Sequence, residues 1–101
     1  MARMAAIGML AAAFDDARAT RDWERLGALA KTLAPQLSAL AARGPWSAAE
    51  LAALARLRTA HDHAAAACAQ ALEQLGQRLA EMRDNKDGWI AYALTSETES
   101  A

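Results

Sequence analysis

One cysteine, two prolines, two lysines and five aromatic side chains are all that this chain of 101 residues holds of those types, and each scarcity removes a class of protein. A lone Cys68 cannot close an intramolecular disulfide, which excludes the stapled framework of small secreted domains and points to a reducing compartment. No stretch approaches the ~20 consecutive apolar residues that a membrane-spanning helix requires. An excess of either charge is also missing. Eleven Lys and Arg against twelve Asp and Glu leave a net charge of −1, with both signs interspersed, so there is no electrostatic footprint for nucleic acid or an anionic membrane. What fills the chain instead is alanine and leucine. Apolar residues reach 54% and nearly a third of the chain is alanine, which predicts a core of leucine ridges separated by small residues. At this length the chain closes one small domain.

The stretch from Trp46 to Asp84 organises the rest. Ser47 and Glu50 form a capping box, and Trp46 and Leu51 are placed to close a hydrophobic staple around it. From there a heptad runs with Leu51, Arg58, Ala65, Leu72 and Leu79 at one seam position and Leu54, His61, Cys68, Leu75 and Met82 at the other. At 1.5 Å per residue this element is on the order of 50 Å long, so it is the spine against which earlier helices lie. Asp84-Asn85-Lys86-Asp87-Gly88 reads as its end, followed by a short apolar segment, Trp89 to Leu94.

Upstream, Met4, Ile7, Leu10, Ala11 and Phe14 form one stripe of a first helix over 2–19, with Arg3, Asp15, Asp16 and Arg18 outside it. Arg3, the apolar run to Phe14 and the trio Ala11-Ala12-Ala13 imitate a short signal peptide, but the run continues into Asp15-Asp16-Ala17-Arg18 without losing helical spacing, which is the pattern of a helix. Thr20 reads as the cap of a second helix that faces the spine with Trp23, Ala30 and Leu37 at one seam position and Leu26, Leu33 and Leu40 at the other. Pro35 predicts a kink or break near residues 31–34. Arg43-Gly44-Pro45 is a stop signal, and the connection is short enough to make the second helix and the spine antiparallel neighbours.

The expected fold is therefore all-α: an antiparallel helical hairpin or three-helix bundle around one long helix, with residues 1–94 as a single domain and 95–101 as a disordered polar tail. No constellation of side chains in the sequence supports catalytic chemistry. His61 and Cys68 are seven residues apart on one helix, about 10 Å, too far to share a metal ion, and His63 faces elsewhere. Asp84 to Gly88 has Lys86 where a calcium loop needs an oxygen ligand. Neither histidine is followed by the Lys-Gly of a phosphotransfer site, and two lysines with scattered arginines do not make the cationic cluster of a small helical chorismate mutase. The reading is of a non-enzymatic binding protein with no catalytic residue, cofactor or metal. Its partner-binding residues would be Leu72, Leu75, Leu79 and Met82 on the spine, with Trp89, Ile90, Tyr92 and Leu94 folding back after Gly88 to dock on the same face.

Arg21-Asp22-Trp23-Glu24-Arg25-Leu26-Gly27-Ala28-Leu29 opening the second helix, the leucine hairpin after it, and Trp89 to Leu94 with its Ala91-Tyr92 together resemble the FliT-type flagellar export chaperones. The resemblance implies a cytoplasmic chaperone that binds the C-terminal helix of the filament-cap protein and delivers it to components of the type III export apparatus, with no nucleotide or metal. Members of that family are similar in touching the export ATPase and, in some bacteria, a flagellar transcription regulator. The alternative reading is a structural bundle that forms a homodimer with no client.

Overall fold

A computed structural model describes residues 2–100, with side chains described for residues 2–97. It holds three helices, α1 (Ala2–Ala19), α2 (Trp23–Ala41) and α3 (Ala48–Ser100), and among the described residues there is no strand. The all-α class expected from the sequence is what the chain adopts. By contact density the chain divides into two units, Met1–Cys68 and Ala69–Ala101.

In the first unit α1, α2 and the opening of α3 form an up-down-up bundle. Arg3 reaches Glu50 and the Phe14 ring meets the His61 ring, pairs that are both 47 residues apart, so α1 and the start of α3 run parallel. The buried core is small: Ile7, Phe14 and Ala17 from α1, Leu26 and Leu40 from α2, and Ala53, Leu57, Ala60 and Ala64 from α3. Leu10, Leu29, Leu33, Leu37 and Leu54 are half-buried around it. The α1 stripe is as its spacing predicts. On α3 one of the two expected seam positions packs, with Leu54, His61 and Cys68 half-buried, but Leu51, Arg58 and Ala65 of the other are exposed, and Ala53, Leu57, Ala60 and Ala64 take their place. Alanines at three of these four positions admit a close approach of the neighbouring helices, which a line led by Leu51 and Arg58 would have held apart.

The helix ends explain why the chain turns where it does. Past Ala19, Arg21 takes a left-handed backbone conformation (φ 55). Its N–H donates to the Arg18 carbonyl at 3.2 Å and that of Asp22 to the Ala17 carbonyl at 2.9 Å, the paired bonds of a Schellman motif. Asp22, and not Thr20, caps α2, its carboxylate accepting from the Arg25 N–H at 3.1 Å. The Thr20 hydroxyl is engaged with the Asp16 carbonyl at 2.9 Å, so it closes α1 instead. Pro35 does not break α2. Lys31, whose carbonyl loses its donor, and Pro35 both lie on the exposed side, while Leu26, Leu33, Leu37 and Leu40 hold the two halves to one core. At the other end Gly44 (φ 125) and Pro45 do stop the helix.

The Ser47–Glu50 capping box forms as read: the Ser47 N–H donates to Glu50 at 2.8 Å and the Glu50 N–H to the Ser47 hydroxyl at 3.1 Å. Leu51 is 54% exposed, and Trp46 is covered instead by Arg3, whose guanidinium carbon sits 4.2 Å from the ring centroid. Contrary to its expected place outside the apolar stripe, Arg3 is a nearly buried tie. Its donors reach the carbonyls of Leu40 (3.1 Å), Gly44 (2.9 Å) and Pro45 (2.8 Å) and both oxygens of Glu50 (2.5 and 2.8 Å). All five N–H groups of the guanidinium are used, and one residue of α1 joins the end of α2 to the start of α3.

The Arg3 hydrogen bonds, helped by the Ser47 N–H, lower the Glu50 pKa from 4.5 to about 2. A carboxylate held below its unfolded value contributes stability that is fully present above about pH 5 and is lost as the pH falls toward 2. Wild type should therefore lose thermal stability across that window, whereas Glu50→Gln, lowered by roughly 5–10 °C at pH 7, should converge on wild type near pH 2. Melting curves from pH 7 to 2 check this; parallel curves would show that the pair adds nothing.

Candidate partner-binding surface

The second unit is α3 from Ala69 onward, and every residue assigned to partner binding from the sequence lies on it. Leu72, Leu75, Leu79, Met82, Trp89, Ile90, Tyr92 and Leu94 are between 49% and 73% exposed. The expected reversal after Gly88 does not occur: α3 continues through Asp84–Gly88 and Trp89–Leu94, so the aromatic segment is not folded back and buried. A lone interior glycine costs only about 1 kcal/mol against alanine, and unlike Gly44 it is followed by no proline. Residues 95–100, expected to be disordered, also lie in α3, the Thr95 hydroxyl donating to the Ala91 carbonyl at 2.9 Å. Ala101 lies outside the described residues.

A β-carbon added at Gly88 meets nothing within 4 Å. Gly88→Ala should thus stabilise this helix by about 1 kcal/mol, slowing amide exchange over residues 84–92 about fivefold. Faster exchange or lower ellipticity at 222 nm would mean that the glycine is needed as a turn.

Helical spacing sorts these side chains. Leu72, Leu75, Leu79, Met82, Trp89 and Ala93 fall at alternating three- and four-residue steps, with Lys86 at the one remaining position, which is the seam of a coiled coil. Ile90 flanks this seam. Tyr92 lies beside Trp89, the two rings edge to face with centroids 6.3 Å apart, over a shallow notch lined by Asp84, Asn85 and Gly88. The charges are sorted as well. Between Ala69 and Leu94 the bases Arg78, Arg83 and Lys86 all sit on or beside the seam, and the acids Glu73, Glu81, Asp84 and Asp87 all sit on the opposite side of the helix. All seven are exposed, and among the described residues the three bases form no ion pair.

The first unit carries a second apolar surface that the sequence pattern did not disclose. Ala6, Met9 and Leu10 of α1 and Gln36, Ala39 and Leu40 of α2 line an open groove of about 490 Å³. Met9, 74% exposed, lies off the α1 stripe, and only the pairing of two helices makes it part of a surface. Elsewhere His61 packs edge-on against Phe14 at 5.5 Å, His63 is exposed and Cys68 is a free, half-buried thiol. Among the described residues no three His, Cys, Asp or Glu side chains are grouped to hold a metal ion, and no helix is long and apolar enough to cross a membrane. No family model, curated protein or solved structure matches the chain.

Proposed function

We propose that this protein is a cytoplasmic, non-enzymatic export chaperone of the FliT type, which holds the C-terminal region of the flagellar filament-cap protein and delivers it to the type III export apparatus. The observation that carries the reading is the exposed seam of residues 72–93, whose large apolar side chains are at least half in water. Such a stripe is a cost to a soluble chain until a second amphipathic helix lies along it. If the five large seam side chains and the flanking Ile90 each hide on the order of 100 Å² at about 25 cal/mol per Å², the gross gain is near 15 kcal/mol. Association and ordering cost roughly 4–15 kcal/mol of that, which leaves a reversible complex, as a carrier that must release its client requires. No group on this surface is needed for bond chemistry.

The rival role, a client-free homodimer, would use the same seam. Titration of the full chain with the C-terminal region of a filament-cap protein separates them: a one-to-one complex supports the chaperone, whereas heat-silent mixing and a stable dimer mass by light scattering support the homodimer.

A further inference from the structure

We propose that the helix received by the seam of residues 72–93 is flanked along its own apolar stripe by acidic side chains, and that the seam is built against pairing with a second copy of this chain. This rests on reading the seam as a partner site, and it adds the chemistry of the partner.

The argument is the placement of charge. Positions beside a coiled-coil seam decide which helices pair, because they face the same positions of the partner across the apolar stripe. From Ala69 to Tyr92 those flanking positions carry two arginines and no acid, and Lys86 stands in the seam itself. The four acids of the same stretch lie on the opposite side, beyond reach of any helix seated on the seam. A parallel, in-register second copy would set Arg78 against Arg83 and Lys86 against Lys86. An antiparallel copy centred between Leu79 and Met82 would bring Arg78 near Arg78 and Arg83 near Arg83. Both directions place like charges together with no acid to separate them. A partner with Glu or Asp at its flanking positions meets all three bases, which form no ion pair among the described residues. Lys86 can extend its alkyl stem along the seam and carry its ammonium to that acidic edge.

The test uses the full chain and two synthetic four-heptad peptides with leucine at every seam position, one with Glu and the other with Lys at every flanking position, followed by fluorescence anisotropy. The Glu peptide should bind at least tenfold more tightly than the Lys peptide at 50 mM salt, and the ratio should shrink at 500 mM. Arg78→Glu with Arg83→Glu, both at exposed sites and checked for unchanged helicity, should reverse the order. Equal affinities, a tighter Lys peptide, binding of neither peptide, or a free chain that is already a dimer and is made monomeric by Leu75→Asp would each overturn the proposal. A parallel titration with the filament-cap C-terminal region keeps the two ideas apart. If that region binds and the Glu peptide has no advantage, the charge rule falls and the chaperone role stands. If the Glu peptide binds with the stated preference and the cap region does not, the charge rule stands and the chaperone role falls.

Discussion

Phe14→Ala should cost the bundle of residues 2–68 about 3–5 kcal/mol. Phe14 is 1% exposed, and it and Ile7 are the largest fully buried side chains among the described residues. The other buried positions include Ala17, Ala53, Ala60 and Ala64, whose methyl groups cannot move into the space a phenyl ring leaves. A domain of this size holds only about 5 kcal/mol in reserve, so the variant should lose most of its cooperative transition. Phe14→Leu, closer in volume, should cost much less, and Met9→Ala, at a 74% exposed site of the same helix, should stay within about 0.5 kcal/mol of wild type. Urea unfolding followed by the fluorescence of Trp23 and Trp46, both half-buried in this unit, reads the effect. A loss below 1 kcal/mol for Phe14→Ala would mean that α1 is not packed as described.

Leu75→Asp combined with Leu79→Asp should behave in the opposite way, leaving stability alone and removing binding. These side chains are 50% and 53% exposed, so the free protein gives up little when they become polar. A bound partner would have to desolvate two carboxylates at the centre of an apolar seam, each costing several kcal/mol. Affinity for the cap-protein region should fall at least a hundredfold while the melting temperature of residues 2–68 moves by less than about 3 °C. Unfolding of the variant would instead make these leucines part of a core.

Much of this arrangement is legible in the sequence, because its causes are local. Helix α1 shows in the spacing of Ile7 and Phe14, α3 begins where Ser47 and Glu50 satisfy each other's backbone, and the turn at Gly44-Pro45 joins a proline that cannot continue a helix to a glycine free to take positive φ. The role of Arg3 is not legible in this way, because its partners are backbone carbonyls and a glutamate 37–47 residues away, which leave no pattern near it. The heptad of α3 points to Leu51 and Arg58 because large side chains dominate the pattern, while the packed face uses alanines. The polar run Asp84 to Gly88 reads as a stop, but no proline accompanies its glycine, so the helix continues and leaves the rings of Trp89 and Tyr92 exposed. The candidate residues at 72–82 were found by spacing alone, since solvent-facing and core heptads look the same in sequence. The sorting of Arg78, Arg83 and Lys86 to the seam side was open to view and becomes informative once that side is known to be uncovered.

Hydrogen–deuterium exchange of the full chain, alone and with the filament-cap C-terminal region, tests the central claim most directly. In the free chain, amides of residues 72–93 should exchange far faster than those around Ile7, Phe14 and Leu57, because the large apolar side chains of that stretch are about half exposed or more while those of the bundle are buried. With the cap region at saturation, protection should rise at least tenfold across residues 72–93 and change little at Ala6, Met9 and Leu10. Protection centred instead on the α1–α2 groove, or an unaltered exchange pattern at concentrations well above micromolar, would contradict the account.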